Sequence, residues 1–253
     1  MRTQLPITKI NSKMKAITIY KAMFICLLVT GITGVAKSQN CGFYYPLVNG
    51  YEIEMTSYNA SDQLTGTTDS KISNVATSTD GTTATLQSTV KDKKDAVINS
   101  SNLLIKCTGT SILVDMSSYI PQQSLSQWKN MTVKVDAGQL EIPQTLSVGM
   151  ALKDASVTVT IYNNGTLFST MKINITNRLV ASQESITTTA GTFNCYKITQ
   201  DINTESIVMG MTIPNNLKSA EYYAAGTGMV KSQTYDKNGK LIGYNLLTKI
   251  IKP

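Results

Sequence analysis

An antiparallel β fold is what this sequence predicts, and three observations predict it. Apolar and polar residues alternate with period two along most of the chain after residue 40, the pattern of strands with one dry and one wet face. Turn-forming residues at Asn49-Gly50, Ser61-Asp62, Asp80-Gly81, Asn163-Asn164-Gly165 and Asn238-Gly239 interrupt the runs at short intervals. Only residues 121–131, and a second short stretch at 214–220, break the alternation enough to suggest a helix or loop.

The first 38 residues read as a signal peptide. They carry Arg2, Lys9, Lys13, Lys15, Lys21 and Lys37 with no acid, then an apolar run at 22–36 and the small-residue exit Ala36-Lys37-Ser38. Cleavage is expected after Ser38, with Met14 as an alternative start. Cys41 follows Ser38-Gln39-Asn40, a poor context for lipidation, so no lipid anchor is expected there. Residues 39–253 are expected to form a single β domain. The leader holds six of the 23 basic residues, which leaves 17 against 16 acidic ones and removes the case for nucleic-acid binding that a charge of +7 invites.

Taken in order, the dry faces begin with Tyr51, Ile53 and Met55, opposed by Glu52, Glu54 and Thr56. Ala84, Leu86, Ser88 and Val90 follow, then Leu103, Ile105 and Cys107, then Ile112, Val114 and Met116. Residues 121–131 open with a proline and align Leu125, Trp128 and Met131, which predicts a short helix covering the sheet. Met131, Val133 and Val135 resume the strand pattern, as do Val157, Val159 and Ile161. Met171, Ile173, Ile175 and Leu179 oppose Lys172, Asn174, Thr176 and Arg178, which places Arg178 on the wet face. Residues 221–241 read as strand, bend at Gly226 and Gly228, strand, type I′ turn at Asn238-Gly239, and strand. The run from Tyr58 to Gly66 echoes that from Tyr235 to Gly243, with Tyr, Leu and Gly at matching offsets, and predicts two similar hairpins.

The chain has no histidine, so Ser-His-Asp and Cys-His arrangements are impossible and the commonest metal ligand is missing. Three cysteines remain after the leader, with no CxxC spacing. Cys107 and Cys195 each fall inside a β run and are the favoured disulfide pair; the alternative is that both are small buried hydrophobes. Asp236-Lys-Asn238-Gly239 begins like a calcium loop, but Lys240 stands where a ligand is needed, so a hairpin turn explains it better. Ser126 and Lys129 fit S-x-x-K without the companion K-T-G, a remote hydrolase alternative. No metal, cofactor or catalytic group is expected.

Several stretches together resemble one family. They are Cys41-Gly-Phe-Tyr-Tyr-Pro46 with Gly50-Tyr51-Glu52, Leu146-x-Val148-Gly149-x-x-Leu152-x-Asp154, and Asn177-Arg178 leading to Glu184. Next come Ala190-Gly191-Thr192-Phe193-Asn194-Cys195-Tyr196-Lys197-Ile198, then Gly226-x-Gly228-x-Val230-Lys231 through Gly239-Lys240-Leu241. Their order resembles that of the TapB-like secreted proteins of Gram-negative bacteria, within a wider group whose fold is similar to the LolA/LolB lipoprotein carriers. The resemblance implies a single strongly curved antiparallel sheet, a half-open barrel, with one or two short helices as a lid. It implies no catalytic residues.

The function expected is that of an exported, non-enzymatic envelope protein, periplasmic or secreted, that binds a lipid or other apolar ligand between sheet and lid. Met116, Trp128, Met131, Tyr222 and Tyr223 are the expected lining. The alternative is a structural module with a filled core that meets an envelope protein partner.

Overall fold

The computed structural model describes residues 44–120, 131–208 and 210–253. Most of them are in strands: β1 (Glu52–Asn59), β2 (Leu64–Ser78), β3 (Gly81–Asp92), β4 (Val97–Cys107), β5 (Ser111–Asp115), β6 (Thr132–Ala137), β7 (Gln139–Pro143), β8 (Ala155–Asn163), β9 (Thr166–Thr188), β10 (Gly191–Val208), β11 (Met211–Ala224), β12 (Gly228–Asp236) and β13 (Leu241–Ile251). They form one antiparallel sheet in the order β6-β8-β9-β10-β11-β12-β13-β1-β2-β3-β4-β5-β7. Most neighbours in the sheet are neighbours in sequence, as short returns require. The exception that matters is β1 against β13, which brings the two ends of the described chain together.

The two outermost strands of that order, β6 and β7, are consecutive in the chain and separated by Gly138 alone. Gly138 donates its N–H to the Ser156 carbonyl at 2.8 Å, extending the pairing of β6 with β8. Its own carbonyl accepts from the Met116 N–H at 3.1 Å, extending the pairing of β5 with β7. One stretch of chain thus begins on one edge of the sheet and ends on the other, and the sheet wraps into a nearly closed barrel. Edge groups that would otherwise stand open are paired by this switch.

The interior is filled from both walls. Ile105, Ile112, Val114, Ile142, Val157, Val159, Ile175 and Val180 are among its most buried residues. A second, smaller cluster lies mainly on the other side of the wall: Cys195, Ala220, Tyr222, Ala224 and Val230, with Ile186 and Phe193 against them; it is joined by Leu247 and by its strand partner Met55, whose side chain also lines the barrel interior. It exists because β9 and β10, 23 and 18 residues long, curl back over β11–β13. The tip of that hairpin is fastened where Thr189 Oγ1 donates to the Thr248 carbonyl at 3.3 Å.

This division corrects the expected cysteine pairing. Cys107 belongs to the inner cluster and is disulfide-bonded, whereas Cys195 belongs to the outer one and is free. Six strands separate β4 from β10 along the sheet, so the two thiols do not meet. Burial pushes the Cys195 thiol up to about 11, and the Glu184 charge adds to the shift.

Three hairpins share one loop. At 59–63, 92–96 and 236–240 the first residue, Asn59, Asp92 or Asp236, accepts two backbone N–H groups on its Oδ1, from positions two and four later, at 2.8–3.0 Å. The fourth residue, Asp62, Asp95 or Gly239, takes the left-handed conformation. The sequence echo captures two of these loops. The type I′ turn expected at Asn238-Gly239 is not formed, because only Gly239 has positive φ; the Asp236 carboxylate organises a longer loop instead. A pair of consecutive positive φ values occurs at Asn164-Gly165, in the tip between β8 and β9.

Residues 214–220 are strand, not helix. Pro214 is tolerated because β11 has no partner on its β12 side beyond Leu217, so the missing N–H faces an open edge. The helix expected at 121–131 lies, up to residue 130, outside the described residues. The one helical turn among those described is a 3-10 turn, Met116–Tyr119, capped by the Asp115 carboxylate on the Ser117 N–H. Replacing Gly138 with proline removes the N–H that bonds to Ser156. The unfolding free energy should fall by about 1–3 kcal/mol, read as a lower urea midpoint; an unchanged midpoint would mean that the switch carries no stability.

Candidate functional site

The barrel interior is not completely filled. A cavity of about 350 Å³ opens along β1–β4, β12 and β13. Its walls follow from strand register. Ile72, Leu86 and Leu103 are paired in a row across β2, β3 and β4, and Ser70, Ser88 and Ser101 form the next same-face row two residues along. All six line the cavity. Ser70 and Ser88 are hydrogen-bonded through their hydroxyls at 2.9 Å. On the facing wall Asn245 Nδ2 donates to Ser232 Oγ at 2.8 Å, and Ser57 Oγ donates to Asn245 Oδ1 at 2.6 Å. The far end is aromatic, with Tyr45, Tyr51 and Tyr119; Tyr51 OH donates to the Thr227 carbonyl at 3.0 Å and holds the loop between β11 and β12 against the cavity. Among the described residues, no Asp, Glu, Lys or Arg lines the space. Its volume sits at the small end of the range for ligand pockets.

Behind Tyr45 runs a buried polar chain. Arg178, 3% exposed, donates from Nε to Gln200 Oε1 at 3.1 Å. Its Nη1 donates to the carbonyls of Glu141 at 3.0 Å and Lys153 at 2.7 Å. Gln200 Nε2 donates to Glu221 Oε1 at 3.1 Å, and Tyr223 OH donates to Glu221 Oε2 at 2.8 Å. The Tyr45 and Tyr223 rings stand 6.1 Å apart, tilted by 51°.

Glu221 as a residue is half-buried, yet its carboxylate is enclosed, and the enclosure decides its chemistry. Burial pushes the carboxyl above its ordinary value, and the bonds from Tyr223 and Gln200 and the Arg178 charge offset that only in part. The phenols beside it are raised too, Tyr45 to about 12 and Tyr223 well above 10, mainly by burial and then by the Glu221 charge. Tyr119 is 42% exposed, but its hydroxyl end points into the same region and is raised for the same two reasons. Both Glu221 oxygens are already engaged by the protein, so the chain acts as a brace that joins β7, β9, β10 and β11 behind the cavity. Among the described residues, no group of three or more His, Cys, Asp or Glu side chains is arranged to hold a metal.

Of the expected lining, the four described residues lie elsewhere. Met116 is fully buried in the inner core, and Met131 packs against that core. Tyr222 points outward into the second cluster, where its hydroxyl donates to Gln233 Oε1 at 2.9 Å under the ammonium groups of Lys197 and Lys231. Tyr223 points inward but backs Tyr45 without lining the cavity. Trp128, Ser126 and Lys129 lie outside the described residues. The reason is strand geometry: adjacent residues take opposite faces, so Tyr222 and Tyr223 cannot both line one space. Arg178 is the clearest residue missed. Positive φ at Asn177 shifts the register, so Arg178 and Val180 turn inward and Leu179, 40% exposed, turns out. The serine row carried one legible signal, since Ser88 shares the dry face of Ala84 and Leu86.

A family model described as DUF3108-like matches residues 48–247, and the chain belongs to that family. No curated protein matches it. Two crystal structures are similar over 84% of this chain and the whole of theirs. One, at 22% identity and a TM-score of 0.65, is a candidate lipoprotein from Parabacteroides distasonis. The other, at 19% identity and a TM-score of 0.63, is a candidate exported protein with a YmcC-like fold from Bacteroides fragilis. At these identities the likeness is one of fold.

The raised carboxyl of Glu221 has a consequence for stability. Folding holds that proton more tightly than the unfolded chain does, so its contribution is complete below the ordinary value of 4.5 and is lost as pH rises through the higher folded value. Wild type should lose stability relative to Glu221→Gln as pH rises above 4.5, and urea unfolding across a pH series reads the difference. Curves that stay parallel throughout would contradict the assignment.

Proposed function

We propose that this member of the DUF3108-like family is an exported envelope protein that holds an apolar ligand, a lipid tail above all, inside its barrel and catalyses no reaction on it. The observation that carries the reading is a ligand-sized cavity walled largely by aliphatic and aromatic side chains, with no charged side chain among the described residues that line it. A basic, apolar leader in the sequence supports export, as do the two solved neighbours described as a candidate lipoprotein and a candidate exported protein. The narrower resemblance to TapB-like proteins and to the lipoprotein carriers points the same way. A protein with a filled interior would offer a partner only its surface; this cavity gives a tail somewhere to be removed from water, at roughly 25 cal/mol for each Å² of apolar surface covered.

The test is native mass spectrometry of the protein taken from its own cell envelope, followed by solvent extraction. An extractable apolar adduct is expected. Leu86→Trp projects a larger ring into the space and should reduce ligand occupancy about tenfold or more. Circular dichroism should show that the sheet survives. A bare protein that also takes up no added lipid would overturn the reading in favour of an interaction module.

A further inference from the structure

The cavity is not uniformly greasy, and its polarity is layered. The row Ile72–Leu86–Leu103 and the tyrosine end make one zone, and the row Ser70–Ser88–Ser101 makes another. Two residues along a strand separate the rows, about 7 Å. Ser232 and Asn245 continue the polar zone on the facing wall.

We infer that the ligand is an amphiphile with an uncharged, hydrogen-bonding head, such as a glyceryl ester, whose head meets the serine row while its tail lies against Ile72, Leu86 and Leu103. This rests on the reading of the cavity as a lipid site and specifies what kind of lipid fits. Each serine hydroxyl offers one donor and two acceptor positions. The bond between Ser70 and Ser88 uses one donor, and Ser101 has no side-chain partner among the described residues. The row therefore retains both donors and acceptors for a neutral head of hydroxyl or ester groups.

An anionic head is poorly served in the same place. A carboxylate or phosphate leaving water needs an opposite charge or a full set of donors. No basic side chain among the described residues lines the space. Arg178 is committed to Gln200 and to two backbone carbonyls behind the tyrosines. Lys91, close by in sequence to the serine row, is held by Asp69 at 2.6 Å. A plain hydrocarbon fails for the opposite reason, because it leaves the hydroxyls unpaired.

The experiment compares four probes of equal chain length: monododecanoyl glycerol, dodecanoic acid, dodecyl phosphate and dodecane. Each is measured by competition against a bound fluorescent fatty ester at pH 7.5. The glyceryl ester should compete about tenfold better than the other three. A Ser88→Ala, Ser101→Ala double variant should bring its advantage to within about threefold, with the circular dichroism spectrum unchanged. If the acid or phosphate competes as well as the ester, or if the double variant keeps the full preference, the head-group inference is overturned and the cavity reading stands. If neither the fluorescent ester nor any probe binds, the cavity reading falls with it.

Discussion

A wide antiparallel sheet has two edges to dispose of, and the way this chain disposes of them fixes everything else. At Gly138 the backbone hands its hydrogen bonds from Ser156 on one side to Met116 on the other. The wall bends round until its first and last strands are one continuous piece of chain. Closure creates an inside, and the inside is where Ile105, Val157 and Val180 are hidden. Arg178 reinforces the same seam, because the two carbonyls it binds belong to β7 and to the connection leading into β8. Its charge is paid for by position: it can reach those groups only from the interior.

Which side chains face inward is decided by strand parity, and parity is reset wherever the register slips. Asn74 and Asn177, both with positive φ, sit at two such slips. At the second, a residue that simple alternation assigns to water becomes a buried cation, and a leucine takes its place outside. The cavity depends on this kind of accounting. Three serines and three aliphatic residues reach one space because β2, β3 and β4 stay in step between 70 and 72, 86 and 88, and 101 and 103.

Much of the fold was legible in the sequence, since alternation marks strands and loops marked by Asn, Asp and Gly mark their ends. The loop at 92–96 was less visible than its two relatives because Asp95, not glycine, takes the left-handed position. Pro214 misled for a different reason: a proline excludes a central strand, but only the order of strands tells that β11 is open on one side there. Sites fared worse than strands. Aromatic residues and methionines attract attention as ligand contacts, yet Met116 and Tyr222 are simply the best fillers for two separate cores. The cysteines were paired from their β character, whereas what decides pairing is which face each thiol occupies. Small hydroxyl residues that shape the cavity carry almost no signal until neighbouring strands are set in register.

The hairpin of β9 and β10 gives the barrel a double thickness on one flank. Behind β11–β13 the wall carries a second apolar layer, while on β2–β4 the outward row Lys71, Gln87 and Asn102 is exposed and no such layer backs it among the described residues. The barrel is therefore backed on one flank and single-walled on the other. Under the function proposed above, a bulky guest would meet less resistance from β2–β4 than from the doubly backed flank, so selectivity for bulk would fall to the strands that present the serine row.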